Sequence, residues 1–435
     1  MKKLLLLINL MLVGWPLPGA VAAEPELARS PILTWNDLAL NAVRAGSLID
    51  AQAARIYAMM NVAMYDAVNG IESVHGSDKR ASALIPPQGA PHNGNRSAAA
   101  LTAAHAVLVA LDPPRTATYN AQRDAEMAAL GRNSKVIAGQ NWGANVGQRV
   151  VQARADDGSA GNETQPAGTG RGEFRAPWSN VQFRNLRPFG ITNSQPYVSP
   201  GPPPLESAAY AAALAEVRIQ GNSLVPDPAA LPTFQFWNSG AGTSQPPGEW
   251  IKVAIILAEE RADALSLSQE ARLFALLGMA LSDVVAPTFT TKFDFHFWRP
   301  ATAIREAADD GNPYTDPDPD GNWTPRTGAN IGSSPEHTSG HSAFAGAGTT
   351  VLRNFFCNDN VPFTLDSDAT QTGARSYESF SQVETEAGRS RILGGIHFEF
   401  SNQAGLQAGR GVANEILATR LLLINGQTHF GQCPL

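Results

Sequence analysis

Apolar positions recur at three- and four-residue spacing along most of this chain, which is the period of a helix face and not of a strand. Ile56, Met59, Met60, Ala63, Met64 and Ala67 set that rhythm within a helical stretch predicted from Thr34 to about Leu130. The alanine-rich run 98–111 inside it has no alternation of period two. The Met59/Met60/Met64 stripe reads as core packing and not as a cofactor site. A further helix is predicted over 141–154. From Ala155 to Gly248 the texture changes to Gly, Pro, Asn and Ser, including Pro200-Gly201-Pro202-Pro203-Pro204, with one helix near 207–221. Phe174, Trp178, Phe183, Phe189 and Tyr197 punctuate this stretch, so it reads as long connections laid over one domain rather than a free linker.

Helical texture returns at 250–264 and again from Ser266, where Ser266 and Gln269 fit a capping box. It runs on through Phe274, Leu277, Ala280 and Leu281 towards Pro300. After an Asp-, Pro- and Gly-rich loop over 309–335, helices are predicted at about 342–356, 377–393 and 402–423. No internal repeat occurs, and nothing alternates long enough to require a sheet. The predicted class is all-α, a helical bundle with long loop-rich connections.

Composition narrows the function classes. Of 435 residues 43% are hydrophobic and 16% charged, enough apolar chain for a folded core and too little charge for general disorder. A net charge of −7 argues against nucleic-acid partners, which call for a basic surface. Six of the 32 basic residues are lysines, two of them Lys2 and Lys3. These open a basic, apolar, then small-residue segment ending at Ala20-Val21-Ala22-Ala23, the pattern of a cleavable Sec-type signal peptide over residues 1–23. Its removal lowers the side-chain charge from −7 to −9. No later stretch reads as long and apolar enough to span a bilayer, so a periplasmic or secreted protein without a membrane span is expected. In an oxidising compartment Cys357 and Cys433 either pair, pinning the C-terminal tail, or remain as two buried thiols. Residues 24–435 read as one domain: N-terminal helices over 24–154, the loop-rich connection over 155–249, chemistry-bearing helices over 250–425, and a tail over 426–435.

Three short segments in the last third carry the chemistry. Lys292 and Arg299 are seven residues apart, nearly two helical turns, which predicts that both project from one face of a helix ending at Pro300. Phe293, Phe295, Phe297 and Trp298 surround them, an unusual setting for a solvated charged face. In Pro335-Glu336-His337-Thr338-Ser339-Gly340-His341, Gly340 is expected to open a helix whose N–H groups form an oxyanion site. Ser339 adds a hydroxyl there, and His341 a group that moves protons near neutral pH. In Ser390-Arg391-Ile392-Leu393-Gly394-Gly395-Ile396-His397, the paired glycines are expected to end a helix so that Arg391 and His397 aim at one point, with Ser401 capping the next helix. Together these supply three cations, a hydroxyl, a helix N-terminus and two histidines, a set suited to a tetrahedral oxyanion.

These segments resemble the signature Lys-x6-Arg-Pro, Pro-Ser-Gly-His, Ser-Arg-x5-His of the superfamily joining type 2 phosphatidic acid phosphatases, bacterial acid phosphatases and vanadium-dependent haloperoxidases. Thr338 stands where that pattern usually has Pro. Ala58–Gly70, Trp298–Arg305 and Gly394–Phe398 are similar to the bacterial haloperoxidase branch, and the likeness covers roughly residues 34–425. It implies the vanadium haloperoxidase/acid phosphatase type of bundle. It also implies vanadate as cofactor in a phosphate-competent site, with no haem and no flavin. His397 would ligate vanadium, or attack phosphorus in a phosphatase, and His341 would be the acid–base group. Lys292, Arg299, Arg391, Ser339 and the Gly340 amide would hold the oxyanion, with Lys292 also polarising peroxide. The implied substrates are hydrogen peroxide and halide, with a phosphomonoester as the alternative; a homodimer is left open.

Where the family commonly has an Asp four residues after the last histidine, this chain has Ser401, which implies weaker vanadate binding unless Glu399, a water or a backbone carbonyl orients the ring instead. Ser334 occupies the position that tunes halide preference, and His337 is expected beside the same pocket. Both point to iodide or bromide before chloride. His296, beside Lys292, is a further histidine to place, whereas His75, His92, His105 and His429 read as structural or exposed. A zinc reading of His337 and His341 lacks a third ligand. The Asp316-Pro-Asp318-Pro-Asp320 run lacks the closing glutamate of a calcium loop. The remaining rival, an anion-binding helical protein without catalysis, leaves two histidines among three cations unexplained.

Overall fold

The structure, a computed structural model, describes residues 27–74, 79–260, 264–315, 319–369 and 372–424. The proposed signal peptide and Cys433 lie outside these, as does most of the Asp316–Asp320 run.

The N-terminal helices are α1 (Pro31–Gly46), α2 (Asp50–Ser73), α3 (Arg96–Leu111), α4 (Thr116–Leu130) and α5 (Ser134–Ala153). Ser30 caps α1, with Pro31 at the first helical position where its missing N–H costs nothing. Helix α2 is buried on nearly every side, Met59, Met60 and Met64 included, because other helices surround it. The following stretch contains α6 (Ala208–Gln220), α7 (Ala230–Phe236) and the start of α8 (Gln245–Glu260). Its connections are anchored: Phe174, Trp178, Phe183 and Phe189 are buried. The carboxylate of Asp283 accepts the N–H groups of Phe189, Gly190 and Ile191 at 2.6, 2.6 and 2.9 Å.

The predicted capping box forms at Ser266 and Gln269 and opens α9 (Leu267–Asp283), which continues almost directly into α10 (Val285–Phe295). The stretch Leu267–Phe295 is, contrary to expectation, long and apolar enough to cross a membrane by length and composition. In this fold 94% of its most apolar 18-residue window is buried, so the core accounts for that apolarity. Helix α10 does not reach Pro300. His296 adopts a left-handed conformation (φ 42°) and ends it. The next residues pair with a loop: Phe174 N–H donates to His296 O, and Trp298 N–H to Gly172 O, both at 2.8 Å. Arg299 is therefore extended (φ −83°, ψ 156°), as a residue before proline prefers, and precedes the short α11 (Pro300–Arg305). Lys292 and Arg299 do not share a helix face.

The last third holds α12 (Gly340–Phe355), α13 (Phe380–Leu393) and α14 (Glu399–Thr419). Helices α12 and α14 approach closely through small residues. A Cβ on Gly409 would stand 2.1 Å from Ala343 O, and one on Gly346 2.4 Å from Leu406 O. Two short antiparallel ribbons join the helices, β1 (Thr164–Gln165) with β2 (Trp178–Ser179) and β3 (Phe363–Asp366) with β4 (Ala374–Tyr377). Tyr377 thus ends a strand rather than starting a helix. Buried side chains from Ile32 to Leu421 form the main apolar cluster. A smaller cluster of Tyr210, Phe297, Trp298, Trp323, Ile392 and Phe398 lies under the loops that carry Arg299 and His397.

Candidate active site

Four chain segments deliver the predicted residues to one place. Lys292 sits in the last turn of α10, and Arg299 just before α11. Ser339 is the N-cap of α12, accepting the Ser342 N–H at 3.3 Å. Its hydroxyl also lies 2.9 Å from Ser342 Oγ, whose own hydrogen is accepted by Asn402 Oδ1 at 2.8 Å. A Cβ placed on Gly340 would meet only Asp50 Oδ2 at 3.6 Å, so the first turn of α12 faces open space on that side. Arg391 ends α13, Gly394 caps it, and Gly395 at φ 78° turns the chain toward His397.

Convergence is visible in the electrostatics. The basicity of His397 is held well below its ordinary range by burial, then by Arg299, Lys292, Arg391 and His341. His341 is depressed likewise by burial and then by Arg391, Arg299 and Lys292, against a bond to Asn238 O. Burial and Arg299 bring Arg391 down to about 9, and burial brings Arg299 to about 10. Lys292 is lowered well below 10.5 by burial and then by Arg299. All three cations are 4% exposed or less.

Each cation is held by carbonyls. Lys292 Nζ donates to Pro335 O at 2.5 Å and Glu336 O at 3.3 Å. Arg299 donates to Ser334 O (2.8 Å), Ser334 Oγ (3.2 Å), Ile396 O (2.8 Å) and His397 Nε2 (3.1 Å). Ser334 therefore lines the site by fixing Arg299. Arg391 Nη1 donates to Trp237 O at 3.2 Å, while its Nε is buried with no partner. A buried guanidinium with an unused N–H, beside two other cations, is the donor set an oxyanion would complete.

The histidines divide by role. His341 Nε2 lies 3.1 Å from the carbonyl of Asn238, which can only accept, so Nε2 carries the proton and the Nδ1 lone pair is left for other work. His397 Nδ1 lies 2.9 Å from Glu336 Oε1, leaving the Nε2 lone pair on the side of Arg299. His337 is 1% exposed and buried behind the cluster, its ring between Phe295 and Phe400. His296 ends α10, edge-on to Phe174, and is not among the groups acting on His397.

Two expectations need correction. Ser401 does not cap α14. It lies inside the first turn, and its hydroxyl donates to Glu336 Oε2 at 2.6 Å. The partner of the His397 ring is Glu336, not Glu399, which binds Arg389 at 2.6 Å. Glu336 Oε1 also accepts the Phe398 N–H at 2.9 Å. Sequence offered only its place in the 335–341 segment, 61 residues before His397. Asp50, the first residue of α2, was equally unmarked. Its carboxyl faces Gly340, with its pKa raised by burial against the pull of Lys292.

Residues 272–426 match the family model of the VCPO second helical-bundle domain. This part of the chain is similar to that family. The segments around Lys292–Arg299, Ser339–His341 and Arg391–His397 all fall inside the match. Among solved structures, a bacterial vanadium-dependent iodoperoxidase superposes with a TM-score of 0.74 at 22% identity, over 93% of this chain and 100% of that one. A holo-type bacterial vanadium-dependent chloroperoxidase gives 0.62 at 14% identity, over 85% and 92%. Its apo-type counterpart gives 0.61 at 15%, over 83% and 92%. The fold is therefore that of the vanadium haloperoxidases. No curated protein sequence matches the chain.

Proposed function

We propose that this protein is a vanadate-dependent haloperoxidase that oxidises iodide or bromide, in preference to chloride, with hydrogen peroxide. The observation that carries the reading is the His397 Nε2 lone pair, set by the Glu336 carboxylate behind it and facing buried Arg299 beside Lys292 and Arg391. Three buried cationic side chains outnumber the two carboxyls that face them, Glu336 and Asp50, which suits an oxyanion.

His397 Nε2 would ligate vanadium, and Lys292, Arg299, Arg391, the Ser339 hydroxyl and the Gly340 N–H would hold the oxygens. Vanadate held there supplies a Lewis acid that activates peroxide toward halide without changing its own oxidation state. The chain's residues do the rest. His341, its proton fixed at Nε2 by Asn238 O, takes a proton from hydrogen peroxide at Nδ1. Two of the three Lys292 N–H donors are committed to carbonyls, and the third is left to polarise the oxygen that the halide attacks. Buried aromatic rings, Phe297, Trp298 and Phe398 among them, keep bulk water from the loops carrying Arg299 and His397.

We extend the proposal to export, on the basic, apolar and small-residue order of residues 1–23. The test is to assay purified protein, with and without orthovanadate, for iodide and bromide oxidation beside phosphomonoester hydrolysis. Vanadate-dependent halide oxidation supports the reading. Hydrolysis inhibited by vanadate, with no oxidation of any halide, replaces it with an acid phosphatase using His397 as nucleophile.

A further inference from the structure

Behind His397 runs a chain of hydrogen bonds that the oxyanion chemistry does not use. Glu336 Oε2 accepts from Ser401 Oγ at 2.6 Å. Ser401 Oγ lies 2.8 Å from His337 Nδ1, and His337 Nε2 lies 2.8 Å from Ser199 Oγ. Ser199 is anchored in turn: its N–H donates to Thr291 Oγ1 at 3.0 Å, and its Oγ accepts the Gly201 N–H at 3.2 Å. Thr291 immediately precedes Lys292 on α10, so the chain begins and ends on elements that build the site.

The directions of these bonds are interdependent. Burial raises the Glu336 pKa to about 7 against the bonds from Ser401 and Phe398, and above that pH the carboxylate has no proton, so Glu336 accepts from Ser401 and from His397 Nδ1. Ser401, having given its one hydrogen to Glu336, can only accept from His337, which puts the His337 proton on Nδ1. His337 Nε2 is then a lone pair and accepts from Ser199. Burial, then Lys292, bring the His337 pKa down to about 3, so the ring is neutral with one proton to place. Phe295 and Phe400 flank the ring and offer no competing polar partner.

We propose that Ser199, His337, Ser401 and Glu336 form one directional relay whose function is to hold His397 in its Nδ1–H tautomer, with the Nε2 lone pair turned to the oxyanion site beside Arg299. Glu336, Ser401, His337 and Ser199 are thus positioning residues. The relay takes over the orienting task of the usual Asp, with the carboxylate supplied from the loop before α12 and Ser401 keeping a smaller part. The proposal deepens the oxyanion assignment and is independent of whether peroxide or phosphomonoester is the substrate.

The relay makes an unusual prediction for Glu336→Gln. The Gln carbonyl must stay on the side of His397 Nδ1 and the Phe398 N–H, so its NH2 faces Ser401 and donates. Ser401 then donates to His337 Nδ1, and the His337 proton moves to Nε2, toward Ser199. The experiment is 15N NMR of histidine-labelled protein with no vanadate, peroxide or halide present. The expected wild-type result is Nδ1–H at both His337 and His397. In E336Q the His337 tautomer inverts while that of His397 stays, and orthovanadate binds about 10- to 100-fold more weakly. A wild-type His337 carrying its proton on Nε2, or no inversion in a folded E336Q, overturns the relay. If E336Q does not fold, Ser401→Ala serves in its place. It should leave His397 as Nδ1–H and release His337 into a tautomer mixture, and a single retained His337 tautomer overturns the relay. None of these spectra depends on turnover, so the relay and the haloperoxidase reading fail separately.

Discussion

Arg299 Nη1 lies 3.1 Å from His397 Nε2, so the atom proposed to bind the oxyanion's centre is already engaged by the guanidinium that would hold its oxygens. The same guanidinium donates to Ser334 O and Ile396 O, tying the loop before α12 to the loop before α14. Arg299→Lys keeps the charge and loses the fork. Orthovanadate or orthophosphate should bind 10- to 100-fold more weakly, about 1.4–2.8 kcal/mol, by calorimetry. Unchanged affinity would show that charge alone matters at this position.

Arg391 has an unused buried N–H, so its cost is borne by the ligand-free protein. Arg391→Met should leave unliganded stability within about 1 kcal/mol of wild type, because a buried charge and one carbonyl bond are lost together. In wild type, orthovanadate at about 100 times its dissociation constant should add roughly 2.7 kcal/mol. That stabilisation should shrink sharply in R391M at the same concentration. Urea unfolding with and without ligand measures both, and an undiminished gain would remove Arg391 from the site.

The three segments were legible because each concentrates its chemistry within nine residues. Gly340 at a helix start and Gly394-Gly395 at a helix end act locally, and both hold in the structure. The shared helix face of Lys292 and Arg299 failed because a tertiary pairing of residues 296–298 with the 172–174 loop overrides the helical spacing. Glu336 was hidden for another reason. Its partners His397, Phe398 and Ser401 come from a segment that only the packing of α12 on α14 brings near. Asn238 acts through its main-chain carbonyl, for which no side-chain signal exists.

That packing is itself testable. A Cβ on Gly409 would stand 2.1 Å from Ala343 O and 2.5 Å from Ala347 N, so Gly409→Ala must push α14 off α12. A loss of about 1–3 kcal/mol is expected in urea unfolding. Because Ser401 O accepts the Ser339 N–H at 3.1 Å, phosphate binding should weaken as well. Wild-type stability in G409A would contradict the close approach.

His337 gives the protein a pH dependence of known sign. Its pKa, lowered from 6.5 to about 3, is below that of the unfolded chain, so the unfolded state takes up a proton first as pH falls. The contribution is present above pH 6.5 and is lost progressively toward pH 3. Comparing wild type with His337→Gln cancels the carboxylates common to both. Between pH 6.5 and 4.5 the wild type should lose on the order of 2–3 kcal/mol more than the variant. Equal losses would show that His337 is not the origin.

The central claim is that His397, among three buried cations, holds a catalytic vanadate. Its most direct test is a titration of vanadate-free protein and of His397→Ala with orthovanadate, following iodide oxidation at fixed hydrogen peroxide. The account predicts activity that rises to saturation at one vanadate per chain and does not appear in H397A. Iodide oxidation that ignores vanadate, or that survives in H397A, would contradict it.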